Sequence, residues 1–203
     1  MLCSLNIQVK AANNKDSLMA ISPNGQISVR ISNSPTLKYS VFYKDQLMIN
    51  DAAINLIVNG NISLAEAAKN IKSIQRNTVN TTISVPVSER RKNIQDNYKE
   101  LTIQFKAPYS IKFRVFNNGV AYQIETAFSD SIFIHNEIAN FNFANSTKGW
   151  LPLIHKRDDS DIFHTSYEEQ YPLSKLDSLS ENNLAYNPVL LAPNNSPKIA
   201  ITE

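Results

Sequence analysis

The chain has 203 residues, 42% of them hydrophobic, with 20 basic and 18 acidic side chains for a net charge of +2. That length and apolar share are enough to bury a core, and the near balance of charge removes any electrostatic case for nucleic acid or an anionic membrane surface. The single cysteine, Cys3, excludes an internal disulfide framework and a cysteine zinc cluster, and no run of about 18 apolar residues exists to span a bilayer.

Residues 1–16 are expected to be either the remnant of a secretory signal, with Val9-Lys10-Ala11 as its small-residue end, or a disordered N-terminus. From residue 17 the pattern is β. Ser17–Ile21 and Gln26–Ile31 flank Ser22-Pro23-Asn24-Gly25, a hairpin because Asn-Gly accepts the positive φ of a tight turn. Leu37–Tyr43 and Gln46–Ile49 form a second hairpin around Lys44-Asp45, and Ile54–Val58 alternates as far as Asn59-Gly60. Ser63-Leu64-Ala65-Glu66 has capping-box spacing and predicts a helix of about two turns through Lys69.

The β pattern resumes over Ile71–Val87. A charged stretch, Glu89 to Glu100, then leads into Leu101–Phe105 and Ile111–Phe116, where apolar and polar residues alternate so that Leu101, Ile103, Phe105, Ile111, Phe113 and Val115 share a buried side. The turn Asn117-Asn118-Gly119 opens a further strand over 120–127, and residues 132–143 extend the run. Many strands on short turns imply a sandwich of mostly antiparallel sheets and exclude a βαβ fold. Residues 145–187 are polar with scattered aromatics, the texture of a functional or interface loop. Val189–Ala192 and Lys198–Ile201 read as two last strands, and the stop at Glu203 directly after a strand reads as a domain boundary.

Four segments in this order, "SPNGQISVRIS", "RRKNIQDNYKELTIQF" with "FRVFNNGVAYQIE", "WLPLIHKRDDSDIFHTSYEEQYPLSKL" and "NPVLLAPNNSPKIAITE", resemble the N-terminal domain of glycoside hydrolase family 97, over about residues 17 to 203. The Trp and Gly that the family carries before its "ER" segment are replaced here by Thr82-Ile83-Ser84-Val85-Pro86-Val87-Ser88. The resemblance implies an all-β super-sandwich like that of galactose mutarotase, with at most one or two short helices. It implies a non-catalytic domain that packs on a (β/α)8 barrel holding the catalytic carboxylates, in a calcium-dependent enzyme acting on α-linked glucosides or galactosides. The 203-residue chain alone is then expected to be inactive, and the parent protein to be periplasmic or secreted. The alternative is a free-standing carbohydrate-binding or interaction module.

Glu203 falls where the family has a glutamate that gives calcium one oxygen, so it is the metal-ligand candidate. Calcium takes 6–8 oxygens, so the barrel would have to complete the site and no tight binding is expected by this chain alone. Trp150, Glu168 and Glu169 are candidates for the substrate rim or the barrel interface. Neighbouring carboxylates on an extended chain diverge, whereas glycosidase pairs face each other at about 5–9.5 Å, so Glu168 and Glu169 are not expected to be that pair. His155, Asp158, Asp159, Asp161 and His164 fit no closed metal spacing and read as a solvated loop. His135 and Glu137, two apart on a strand, share a face and read as a surface pair. Asn61 and Asn80 begin glycosylation-acceptor triplets, which arise by chance in an Asn-rich chain. Trp150, Phe163, Tyr167 and Tyr171 are expected to be exposed near the C-terminal edge, making the lone chain prone to self-association.

Overall fold

The computed structural model describes residues 18–87, 90–157 and 161–203. The signal reading of residues 1–16, and Glu89, Asp158 and Asp159, lie outside the described residues. Secondary structure is overwhelmingly β. The chain divides into two compact units, residues 1–142 and 143–203.

The first unit holds two antiparallel sheets. One has strands β1 (Met19–Ile21), β2 (Ile27–Ser32), β3 (Lys38–Tyr43), β4 (Gln46–Val58) and β10 (Ile134–Ala139) in that spatial order, with β5 (Ile62–Ser63) beside β4. The other has β6 (Ile71–Ser84), β7 (Asn93–Phe105), β8 (Tyr109–Phe116) and β9 (Gly119–Thr126) in sequential order. Both expected hairpins form. Gly25 sits at φ 76° in the longer turn of the first, and Lys44 and Asp45 close the second at φ 47° and 64°, as the twist of flanking strands demands of a two-residue turn. Sequence suggested two strands between Gln46 and Val58; the structure joins them. Asp51, at φ 44°, sits at a bulge opposite Ser40, whose hydroxyl accepts the Asp51 N–H at 3.0 Å and donates to the Asp51 carboxylate at 3.2 Å. The bulge bends the strand without ending it.

Alternation is obeyed where it was read. Leu101, Ile103, Phe105, Ile111, Phe113 and Val115 are all buried, and Leu101 faces Phe113 while Ile103 faces Ile111 across the ladder. They meet the first sheet through rings: Tyr39 lies 5.9 Å from Phe113 and 5.7 Å from Tyr122, centroid to centroid. The Tyr109 hydroxyl donates to the Ile62 carbonyl at 2.9 Å and ties the sheets at their rim. Each such buried apolar side chain contributes about 1.5–3 kcal/mol against exposure.

Two details differ from the sequence reading. Helix α1 (Leu64–Ala67) is a single turn. Ser63 caps it by accepting from the N–H groups of Ala65 and Glu66, but Glu66 does not reach back; its carboxylate takes Lys69 at 2.7 Å instead. The charged lead-in also proves to be strand. β7 begins at Asn93 and stays paired with β6 from Asn80↔Asn97 to Ser84↔Asn93, beyond the last β8 partner of Tyr98. That stretch is a two-stranded ribbon, with Ile83 and Ile94 opposite each other and about half exposed.

The second unit is built on a four-stranded antiparallel sheet ordered β12 (Leu173–Lys175), β11 (Lys148–Trp150), β13 (Val189–Ala192) and β14 (Ile199–Ile201). The two last strands stand where expected. Part of the polar stretch supplies β11 and β12, three residues each, too short to show a period. Leu151, Pro152, Thr147 and Leu191 are its most buried side chains. Gly149 lies against them so closely that a Cβ there would meet Leu191 Cδ2 at 2.6 Å. The Thr147 hydroxyl is the one buried side-chain polar atom without a partner among the described residues.

Candidate functional site

The connections before and after β12 gather most of the chemistry-bearing side chains of the second unit. Their anchor is Tyr186. The Tyr186 hydroxyl accepts the Glu169 N–H at 3.0 Å and donates to the Glu169 carbonyl at 3.4 Å. Tyr167 and Tyr171 stand edge-on to the Tyr186 ring, with centroids 5.6 and 6.1 Å away, the geometry that sets a positive ring edge on a negative ring face.

Glu169 is turned inward, its side chain 11% exposed, and is held from two sides. Arg157 Nη2 donates to Oε1 at 3.1 Å and also to the Glu168 carbonyl at 3.3 Å, and His155 Nδ1 lies 3.4 Å from Oε2. Desolvation pushes the Glu169 carboxyl up, but the bonds from His155 and the charge of Arg157 outweigh it and hold it below the ordinary carboxylate value. Glu168 is exposed, so the two carboxylates diverge as extended neighbours should. A second pair lies nearby: His164 Nδ1 is 2.8 Å from Asp161 Oδ2. That bond, followed by the Phe163 N–H, lowers the Asp161 pKa.

His155 and His164 thus belong to separate carboxylate pairs. Among the described residues no three His, Cys, Asp or Glu side chains group as a metal site. Glu203 is exposed, two residues beyond β14, and offers a cation one carboxylate. Calcium needs 6–8 oxygen ligands, so the residues present do not by themselves fit a calcium site.

Trp150 departs from the expected exposure. β11 is paired on both sides, with Trp150 opposite Leu173 and Leu190, so its ring is half-buried, and Lys198 Nζ sits 4.9 Å from its centroid. The cation covers a ring face that would otherwise be open. Phe163, Tyr167 and Tyr171 are exposed, as expected. In the first unit, a register shift at His135 breaks the strict alternation that put His135 and Glu137 on one face, and both lie exposed on β10. Tyr186, Arg157 and the left-handed backbone of Tyr167, φ 53°, escaped the sequence reading. Glu169 and Tyr186 are 17 positions apart, and no spacing rule joins them.

The described residues form an all-β chain of antiparallel sheets with an aromatic, carboxylate-bearing loop in its second unit. This chain belongs to the glycosyl-hydrolase 97 N-terminal family, whose pattern it matches over residues 21–203. It is 24% identical over 206 residues to a retaining alpha-galactosidase of Bacteroides thetaiotaomicron, aligning over all of this chain and spanning about 30% of that protein's length. A glycoside hydrolase family 97 enzyme from Pseudoalteromonas sp. strain K8, solved in complex with acarbose, superposes with a TM-score of 0.69 at 22% identity, over 87% of this chain and 27% of that one. A beta-arabinopyranosidase superposes with a TM-score of 0.73 at 18% identity, over 90% of this chain and 30% of that one. Both likenesses are statements about fold.

Proposed function

We propose that this chain is the non-catalytic N-terminal domain of a calcium-dependent glycoside hydrolase acting on α-linked glucosides or galactosides, secreted or periplasmic, and that it packs on a (β/α)8 barrel. The observation that carries the reading is the match along residues 21–203 combined with the chain spanning only about 30% of its galactosidase relative. The carboxylates agree with it. Glu169 is engaged by Arg157 and His155 while its neighbour Glu168 is exposed, so the two do not form the facing carboxylate pair of glycoside cleavage. Glu203 would add a single carboxylate to a calcium site completed by the barrel, and Trp150, Glu168 and Glu169 would border the active-site rim or the barrel interface. Among the described residues no helix is long and apolar enough to cross a membrane.

The test is hydrolysis of aryl α-glucosides and α-galactosides by the chain alone, and its association with a family 97 catalytic barrel by sedimentation. The expected result is no turnover by the chain, together with a stable complex. Turnover by a clean preparation, abolished by replacing a carboxylate in this chain, overturns the reading. A folded chain that ignores the barrel but binds oligosaccharide favours the free-standing module instead.

A further inference from the structure

Natural sheets guard their edges against pairing with another chain by short strands, charges, prolines and bulges. Strands β1, β12 and β14 are three residues each. β10 is broken by the register shift at His135, and β9 carries Glu125, bonded to Lys112. β6 has no such guard from Asn77 onward. It stands at the edge of its sheet among the described residues, and from Asn77 to Val85 it holds no charge, glycine or proline. Its pairing with β7 runs without a shift from Ser73 to Ser84, and Asn80 to Ser84 are all exposed. The far side of the same ribbon differs: β7 carries Asp96 and follows Arg91 and Lys92.

The backbone of that edge is aimed outward. The Val85 N–H donates to the Lys92 carbonyl at 3.0 Å. By alternation the odd-numbered residues bond to β7, and the N–H and C=O groups of Thr78, Asn80, Thr82 and Ser84 point away from it. Thr78 agrees, its N–H taken by Asn77 Oδ1 at 2.9 Å. The side chains of Val79, Thr81 and Ile83 share one face with Ile94 and Tyr98. Ile83 and Ile94 stand opposite each other on that face, 48% and 46% exposed. Gln95 holds the other face, donating to Asn80 Oδ1 at 2.7 Å and to the Thr81 carbonyl at 3.0 Å, so the ribbon is kept extended.

We infer that β6 is a dimerisation edge, pairing antiparallel with β6 of a second copy of this chain about a two-fold axis at Thr81. In that register the outward groups of Thr78, Asn80, Thr82 and Ser84 meet those of Ser84, Thr82, Asn80 and Thr78, for about eight backbone hydrogen bonds. Val79 falls opposite Ile83, Asn80 opposite Thr82, and Thr81 opposite Thr81, the β-branched and Thr–Thr pairs that stabilise a ladder. Moving the axis by one residue sets Ile83 against Asn77 or Thr81 instead. Ile94 and Ile83 then continue into Val79 and Tyr98 of the second copy as one apolar row. Such a match belongs to a copy of the same strand, and each copy uses its edge once, so the assembly closes at two. Nothing in this pairing depends on the glycosidase-domain reading.

The experiment is sedimentation equilibrium of the 203-residue chain from micromolar to near-millimolar concentration, with circular dichroism to verify folding. A monomer–dimer equilibrium is expected. Thr82→Pro removes an N–H that β7 does not use, so the chain keeps its fold while dimerisation weakens at least about tenfold. Thr81→Lys and Thr81→Glu each set like charges against each other at the axis and weaken the dimer similarly. Mixing the two charge variants restores it as a heterodimer. Phe163→Ser, at an exposed ring of the second unit, leaves it unchanged. A chain monomeric at every concentration, a dimer that survives Thr82→Pro, a mixture no tighter than its single variants, or an equal loss in Phe163→Ser overturns the inference. Should Thr82→Pro fail to fold, the two charge variants and their mixture decide alone.

Discussion

Replacing Gly149 by alanine should destabilise the second unit, although alanine ordinarily improves on glycine in a strand. The residue is not in the left-handed region, so backbone freedom is not what glycine supplies there. A Cβ would stand 2.6 Å from Leu191 Cδ2 and 3.3 Å from Leu151 Cδ2. Both leucines are nearly fully buried, at 2% and 4% exposure, and have little room to move away. Two effects compete: removing glycine's entropy cost gains about 0.5–1 kcal/mol, and overpacking a filled site costs about 1–3 kcal/mol. The clash should win by about 1–2 kcal/mol. In a chain of this size that lowers the thermal midpoint by about 2–8 °C, readable by circular dichroism. The cause is separable from a general loss. Leu191→Val shortens the obstructing side chain, so the double variant should cost less than the sum of the two single changes, by at least about 0.5 kcal/mol. A Gly149→Ala chain as stable as the parent, or strict additivity with Leu191→Val, refutes the close-approach argument.

Three further outcomes follow from the same geometry. Phe113 is fully buried between Tyr39 and Tyr122, so Phe113→Ala should cost about 3–5 kcal/mol by denaturant unfolding; a loss below about 1 kcal/mol would mean the sheets do not meet there. The Lys112 hydrogen bond lowers the Glu125 pKa below its ordinary 4.5, so the unfolded chain takes up that proton more readily than the folded one. The contribution is full above that value and fades as the pH falls below it. With Glu125 40% exposed, solvent screening keeps it under about 1 kcal/mol. Lys112→Met should therefore narrow the stability difference between neutral and acid pH, and an unchanged acid limb would count against the bond. Calorimetry on the chain should show no calcium binding tighter than about millimolar, because Glu203 is a single exposed carboxylate; a micromolar site would place ligands that the described residues do not show.

The sequence by itself determined the parts of this fold governed by local rules. Asn24-Gly25 marks a hairpin because glycine accepts the positive φ that its turn needs, and Lys44-Asp45 stands between two apolar strand runs. The alternation of Leu101, Ile103 and Phe105 against Ile111, Phe113 and Val115 fixes which side is buried, because a strand has period two. Ser63 announces a helix start by its capping oxygen. Tertiary structure decided what depends on distant partners. β4 continues through Asp51 because Ser40, on the neighbouring strand, holds the bulge. β11 and β12 are strands only because each is paired; three residues carry no periodicity of their own. Trp150 is half-buried because its strand is paired on both sides. Gly149 is glycine because Leu191, 42 positions away in sequence, packs so close that a Cβ there would stand 2.6 Å from its Cδ2. The candidate site was legible as residue types, tyrosines and carboxylates in a polar loop, but not as an arrangement. Glu169 became a clamped residue only when folding brought Arg157 and His155 to its carboxylate and Tyr186 to its backbone, and sequence spacing holds no record of a contact made by folding.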